Sequence, residues 1–236
     1  MSGSLIPISD EQAKLGQEIL KTLRGLGSFI EKALGSTPED LIAYFGGDRL
    51  RVRRAENLVK LFEKARQRLA DWNVTAPIPA SLSVALPILQ GAADEDREEL
   101  VDLWARLLAN AMNPNLNSVR QSFIDAVKKM DPLDAVVVRH LHEANIMLVH
   151  LSGEGSSTQD KGSDEIAHAI KRRSDEVEVS MRHLKDLSLL DELLSTVGEG
   201  DEQLEEISWW INAAGREFLR ACYPRVKTTQ DARGGM

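Results

Sequence analysis

The sequence predicts a mainly α-helical protein in which an N-terminal helical bundle precedes a winged-helix-like module with a small β-hairpin. In the first 130 residues, apolar side chains recur every three or four positions, which is the spacing of amphipathic helices. Late in the chain, two candidate strands flank a polar, glycine-containing segment, which predicts a hairpin. We expect a helical bundle domain over 1–130, a winged-helix-like domain over 131–226 and a disordered tail over 227–236.

An amphipathic helix is predicted over Ser9–Gly35, with a capping box at its start and Gly35 as its C-cap. The segment Thr37–Asp40 (TPED) is a strong start for the next helix, because it combines a capping threonine, a first-turn proline and two acids. Gly46–Gly47 ends that short helix.

A long basic helix is predicted over Asp48–Trp72. Its apolar residues form a heptad seam that suits an antiparallel bundle partner or a coiled-coil dimer. The seam consists of Ala55, Leu58, Phe62, Ala65, Leu69 and Trp72. The basic residues that lie off the seam are Arg53, Arg54, Lys60, Lys64, Arg66 and Arg68. They form either a solvated helix face or a surface for phosphate or an acidic partner.

Three further helices complete the predicted bundle. The first covers Leu82–Ala93, with Pro87 as a candidate for its first turn. Asp94 is expected to cap the second, whose apolar stripe lies in Leu100–Pro114. The acids around Asp94 are expected at a helix N-terminus without any metal. The third covers Ser118–Met130, and its expected inward residues are Phe123, Ile124, Val127 and Met130.

The second half starts with a helix that Asp131–Pro132 opens. Its expected inward residues are Leu133, Val136, Val137 and Leu141. A candidate strand over Asn145–Leu151 and a Gly/Ser-rich loop over Gly153–Gly162 follow. Two short helices then start at Ser163 and Ser174, with inward residues Ile166, Ile170, Val177, Met181 and Leu184.

The last predicted elements are two strands and a helix. The strands cover Leu189–Val197 and Leu204–Ile211, and Asn212 caps the helix. The order helix, strand, helix, helix and hairpin is that of a winged helix-turn-helix. The outward residues of the helix that starts at Ser174 are mainly acidic, so we expect this module to contact proteins rather than a DNA backbone.

Charge is unevenly distributed along a chain whose net charge is −8. Arg49–Arg68 holds eight basic and two acidic residues, whereas Ser174–Glu206 holds two basic and eleven acidic residues. The net charge argues against a general nucleic-acid coat. The two segments are able to attract one another within a chain or between chains.

Composition and motifs argue against several classes of protein. No run of about 18 apolar residues and no secretory signal is found, and the single cysteine, Cys222, fits a reducing cytoplasm. Phosphate-binding glycine loops, HExxH, paired CxxC and GxSxG motifs are all missing. We therefore expect a cytoplasmic protein with no enzymatic activity, no metal and no cofactor.

Histidines and tryptophans are the other candidate functional residues. His140 and His142 lie two positions apart on one helix, so their rings point to opposite sides. The remaining histidines lack any motif and are expected at the surface or at its rim: His150, His168 and His183. Trp209 and Trp210 are neighbours in the last strand, so one should be buried and the other near the surface, as a candidate anchor for a partner.

Four segments carry a resemblance to a known family. They are LVDLWARLLANAMNP at Leu100–Pro114, RRAENLVKLFEKARQRL at Arg53–Leu69, MDPLDAVVVRHL at Met130–Leu141 and INAAGREFLRAC at Ile211–Cys222. Together they resemble the Abi-alpha family of bacterial abortive-infection proteins, over roughly Ala43 to Cys222. The resemblance implies a cytoplasmic protein of phage defence and supplies no catalytic residues.

These patterns favour an antiphage protein that acts as a non-enzymatic helical interaction and oligomerisation module. Its partner is expected to be a phage or host protein, or a second copy of the chain. The candidate interaction surface comprises Arg53, Arg54, Lys60, Lys64, Arg66, Arg68, Trp209 and Trp210. Two alternatives stay open: a membrane-acting effector that uses the amphipathic helix over 9–35, and a nucleic-acid-binding regulator that uses the basic helix over 49–68.

Overall fold

The computed structural model describes residues 17–18, 21–22, 24–35, 37, 40, 51–116, 118–144, 163–197 and 204–224. In these residues the chain forms nine helices and a two-stranded antiparallel sheet, which confirms the predicted mainly helical class. The elements are α1 (Gly27–Leu34), α2 (Arg51–Asp71), α3 (Leu82–Ala93), α4 (Glu98–Ala111), α5 (Gln121–Lys129), α6 (Pro132–Glu143), α7 (Ser163–Ile170), α8 (Ser174–Asp186), β1 (Leu190–Val197), β2 (Leu204–Ile211) and α9 (Ala213–Cys222).

The described residues divide into two compact units. The first holds residues up to Asp96 together with Trp104–Val119, and the second holds Arg97–Leu103 together with residues from Arg120 onwards. The domain boundaries drawn from the sequence, at 130 and 226, remain predictions.

The first unit contains α1, whose buried residues are Phe29, Ile30, Ala33 and Leu34. Gly35 ends this helix in the left-handed conformation (φ 66°), as predicted, because glycine has no Cβ to oppose it. At Thr37–Asp40 the predicted cap forms. The Thr37 hydroxyl donates to Asp40 Oδ2 at 2.8 Å and accepts the Asp40 amide at 3.2 Å. The predicted helix start at Ser9, and the helix expected after Asp40, lie outside the described residues.

Helix α2 packs into the first unit through its predicted seam. Four seam residues are almost fully buried: Leu58, Phe62, Ala65 and Leu69. Ala55 and Trp72, at the two ends of the seam, are half-buried. The Phe29 ring meets the Phe62 ring edge-on, with centroids 6.3 Å apart. Because this seam faces the core, the basic side chains of α2 lie on its other faces.

Helix α3 has the predicted bounds, but the first-turn role expected for Pro87 is wrong. The helix starts one turn earlier, where the carbonyl of Ser81 accepts the Ala85 amide at 2.8 Å, and Pro87 lies inside it. Proline inside a helix leaves one backbone acceptor of the preceding turn without its usual donor. Gly91 on α3 lies against Trp104, so that a Cβ there would be 2.5 Å from the indole ring.

Asp94 does not cap helix α4, and that prediction is wrong. Helix α4 starts at Glu98, where the carbonyl of Arg97 accepts the amides of Leu100 and Val101, both at 3.0 Å. Asp94 lies at the C-terminal end of α3 and pairs with a side chain of α2 instead. The apolar stripe of α4 is buried as predicted: Leu100, Leu103, Trp104, Leu107, Leu108 and Ala111.

In the second unit, α5 buries all of its predicted inward residues: Phe123, Ile124, Val127 and Met130. It starts at Gln121 rather than at the predicted Ser118, because the carbonyl of Arg120 is the first to accept a helical amide. The Phe123 ring meets the Phe218 ring of α9 edge-on at 5.6 Å.

The inward face of α6 differs from the prediction. Val137 and Leu141 are buried as expected, whereas Leu133 and Val136 are only half-buried. The other buried residues are Asp134, Ala135 and Val138. The buried face of α6 includes Asp134 because hydrogen-bond donors inside the unit satisfy its carboxylate. These bonds offset the usual penalty for burying a charge.

Helices α7 and α8 start at the predicted residues. The predicted inward residues that are buried are Ile166, Val177, Met181 and Leu184, and Ile170 is half-buried. The candidate strand over 145–151 and the loop over 153–162 lie outside the described residues.

Strands β1 and β2 pair antiparallel, from Leu190 opposite Ile211 to Val197 opposite Leu204, which confirms the predicted hairpin strands. Asn212 caps α9 as predicted, since its side chain accepts the Gly215 amide at 2.9 Å. The expected hairpin tip over 198–203 and the expected tail over 227–236 lie outside the described residues.

Candidate interaction site

The first two arginines of the predicted surface hold α2 to the end of α3. Arg53 pairs with Asp96, and Arg54 Nε lies 2.6 Å from Asp94 Oδ1. Beside them, the buried Asn57 side chain donates to the carbonyl of Ala93 at 3.0 Å. Two acids of the cluster after α3 thus serve as ion-pair partners for α2.

Three further cations of α2, Lys60, Lys64 and Arg66, line an open hollow of about 690 Å³. We call its lining the α2 face, which comprises Lys60, Glu63, Lys64, Arg66, Gln67 and Ala70. Lys60 and Arg66 are exposed, and within the described part of the chain neither makes an ion pair. Arg68 lies beside this face and pairs with Asp71 at 3.2 Å. The α2 face is therefore where this helix carries uncompensated positive charge.

The two tryptophans divide as the strand alternation predicts. Trp209 is 6% exposed and Trp210 is half-buried. The guanidinium of Arg182 lies 5.9 Å from the centre of the Trp209 ring, a cation–π contact that joins α8 to β2. Burial removes Trp209 from the predicted surface and leaves Trp210 as the candidate.

A buried carboxylate links α6 to α8. Asp134 is 1% exposed, and its Oδ1 accepts the Ser180 hydroxyl at 2.5 Å. Its Oδ2 accepts the Asp131 amide at 2.7 Å and lies 2.7 Å from His183 Nδ1. We call Asp131, Asp134, Ser180 and His183 the Asp134 cluster. Three donors satisfy the carboxylate, as burial of a charge requires.

The Asp134 cluster also has the composition of a metal site. Asp131, Asp134 and His183 offer ligand atoms that lie within 4.8 Å of one another. Both oxygens of Asp134 already accept hydrogen bonds, and Arg97 lies 3.4 Å from Asp131 and adds positive charge. A cation would have to displace the His183 bond, so the arrangement fits a hydrogen-bond network better than a metal centre.

Sequence reasoning missed this cluster. The expected surface or rim position of His183 agrees with a side chain that is one-third exposed, but its bond to Asp134 was not predicted. A signal was present in the sequence: two aspartates three apart around Pro132 mark a capping box, and Ser180 and His183 share one face of α8.

Among the described residues, no other histidine belongs to a group that could hold a metal ion. His140 and His142 are both half-buried on α6, and the His142 ring stacks on Tyr223 with centroids 4.7 Å apart. His168 is exposed, as predicted, and His150 lies outside the described residues.

The outward side of α8 is acidic, and its cations are compensated. Arg182 bonds Glu178 at 2.7 Å, which raises the pKa of that guanidinium, and Lys185 pairs with Glu192. At the start of the helix, the Arg173 guanidinium donates to Asp175 at 3.0 Å and lowers the pKa of that carboxyl below its usual value. These pairs leave α8 without positive charge to offer a phosphate backbone.

Among the described residues, no helix combines the length and apolarity needed to cross a bilayer. Neither a curated protein nor a solved structure matches the chain. A family model described as abortive infection alpha matches residues 53–222, a stretch that runs from the first arginine of α2 to the last residue of α9. Its description associates the matched chain with abortive infection, the bacterial response that limits phage spread. The chain belongs to the abortive infection alpha family.

Proposed function

We propose that the chain is a cytoplasmic, non-enzymatic phage-defence protein that binds an acidic protein surface through the α2 face. One observation carries the proposal. Within a single basic helix, Arg53 and Arg54 pair with Asp96 and Asp94, whereas Lys60 and Arg66 are exposed and make no ion pair with any described residue. Exposed cations of this kind add little to stability, so their grouping is better explained by binding.

A protein partner fits the α2 face better than a nucleic acid. Glu63 lies between Lys60 and Arg66 around the helix, and it would face a phosphate backbone unfavourably. The net charge of −8 also opposes binding to a nucleic acid. An acidic protein surface can instead place a donor opposite Glu63 and carboxylates opposite the cations.

The geometry of the Asp134 cluster supports a non-enzymatic role. A nucleophilic serine needs a base that accepts its proton. Ser180 donates to Asp134, and His183 bonds the same carboxylate, so the imidazole does not activate the hydroxyl. The cluster therefore supports a link between helices rather than a catalytic dyad.

We also propose that the second unit is a winged-helix-like module whose role is protein contact. The order α6, α7, α8, β1, β2 and α9 supports this assignment. The helix that would enter a DNA groove is α8, and the compensated cations and exposed acids on its outward side oppose that use.

The structure gives less support to the membrane alternative, because α1 is part of the amphipathic helix expected over 9–35. Its residues Ile30 and Ala33 are 0% exposed, so its apolar face is already used in the first unit. Membrane binding would require that this packing first be broken.

Phage challenge of cells that carry the gene tests the proposal. The variant Lys60→Glu/Arg66→Glu reverses the α2 face, and repulsion should weaken partner binding about tenfold or more and reduce protection accordingly. The control Lys128→Glu/Lys129→Glu makes the same change in net charge at two exposed residues in the last turn of α5. Protection that falls equally in both variants, or in neither, contradicts the proposal.

A further inference from the structure

We propose that the acidic surface bound by the α2 face is α8 of a second copy of this chain. The inference rests on the function proposed above. The outward side of α8 is here called the α8 face and comprises Asp175, Glu176, Val179, Arg182 and Asp186. At 100° per residue, these side chains lie within about 60° of Val179 around the helix axis.

The α8 face has an apolar centre and an acidic rim. Val179 is 68% exposed, more than Leu82 at 57% or Ile78 at 38%. Glu176 and Asp186 flank it and are exposed. The bond to Asp175 and the charge of Glu176 raise the pKa of the neighbouring Arg173 guanidinium, whereas Asp186 forms no ion pair with the described side chains. Asp175 forms an ion pair with Arg173, and Arg182 forms one with Glu178. An apolar centre inside a polar rim is typical of a protein contact, and the two remaining charges are negative.

The α2 face offers the complementary pattern. Lys60 and Arg66 carry positive charge that no described side chain pairs with, Glu63 between them carries one negative charge, and Ala70 gives the lining an exposed apolar spot. The segments around the two faces are also opposite in charge, since Arg49–Arg68 is basic and Ser174–Glu206 is acidic. Charge complementarity of this kind fixes the partner and its register.

The contact would be head-to-tail, because each copy presents both faces and the two faces differ. A heterologous contact of this type builds a closed ring or an open chain of copies. It would also make assembly sensitive to salt, since the Debye length shrinks from about 10 Å at 0.1 M to about 3 Å at 1 M.

Two variants that neutralise one face each provide the test. Lys60→Gln/Arg66→Gln removes the α2 charges, and Glu176→Gln/Asp186→Asn removes the α8 charges. Light scattering of the full chain should find assemblies of the wild type at low salt that dissociate at about 1 M salt. Each variant alone should associate about tenfold more weakly or worse. Mixed in equal amounts, the variants retain one intact pair of faces, so they should form a 1:1 complex that grows no further.

A wild type that stays monomeric at every salt concentration overturns the inference, as does a mixture that stays monomeric. A short DNA or RNA duplex that binds the wild type, dissolves its assemblies and needs Lys60 and Arg66 would also overturn it and assign the α2 face to nucleic acid. Thermal melting checks that the variants fold. If the wild type is monomeric while phage protection still depends on Lys60 and Arg66, the inference fails and the proposed function stands with another partner.

Discussion

The Asp134 cluster holds a buried, hydrogen-bonded charge, whereas the α2 face holds exposed charges. Asp134 is buried and accepts three hydrogen bonds, two from side chains of α8 and one from the amide of Asp131, the residue that caps α6. Lys60 and Arg66 lie in water and pair with no described carboxylate. A buried charge that lost its donors would strongly destabilise the unit, whereas a surface charge can be changed at little cost to stability. The first arrangement therefore supports the fold, and the second leaves charge available for another molecule.

The largest effect expected from this contrast follows Asp134→Ala. The change leaves the Ser180 hydroxyl, the Asp131 amide and His183 without their common acceptor, and we expect the free energy of unfolding to fall by about 3 kcal/mol. Chemical denaturation measures it. Asp125→Ala, at an exposed carboxylate of α5, serves as the matched control and should change stability by less than about 0.5 kcal/mol. Equal losses in the two variants would refute the structural role of the cluster.

A smaller effect distinguishes the first turn of α2 from its middle. Arg54→Ala breaks the partly buried pair with Asp94, and we expect a loss of about 1 kcal/mol that decreases at high salt. Lys60→Ala should be neutral within about 0.5 kcal/mol, because no described side chain pairs with Lys60. Thermal unfolding at two salt concentrations compares them. A Lys60 variant that is destabilised as much as the Arg54 variant would remove the distinction on which the α2 face depends.

The smallest effect concerns the exposed cap at Thr37–Asp40. Hydrogen bonds from the Thr37 side chain and backbone hold the pKa of Asp40 below its usual value of 3.8. The stabilisation they give is therefore present above that value and is lost as the pH falls through the lowered pKa. Thr37→Val removes the hydroxyl donor and should raise the Asp40 pKa towards 3.8, which an NMR titration of the carboxyl would detect. An unchanged titration would mean that the backbone bond alone sustains the shift.

Local sequence signals predicted the parts of this fold that depend on near neighbours. Gly35, Asn212 and the inward face of α5 were predicted from caps and periodicity, because each depends on residues at most a few positions away. The strands of the hairpin were found in the same way, with β1 starting one residue later than expected.

Long-range pairing explains the errors. Asp94 has the sequence of a helix cap, but Arg54, forty residues earlier in the chain, takes its carboxylate. Asp134 is polar, so helical periodicity alone assigns it to the outward face of α6. Ser180 and His183, more than forty residues later in the chain, bond its carboxylate and make its burial favourable. The same limit applies to the candidate site: Arg53 and Lys60 are equivalent in the sequence, and only the position of Asp96 distinguishes them.

The contact between Gly91 and Trp104 limits which residues this chain can accept at position 91. The indole ring occupies the volume where any other side chain at 91 would begin, and with Trp104 only 1% exposed the ring has no free space into which to retreat. Larger aliphatic residues elsewhere in the core can exchange with one another at constant volume. At this crossing, a larger residue at position 91 therefore requires a smaller one at position 104, whereas a smaller residue at 104 alone would leave a cavity beside Gly91.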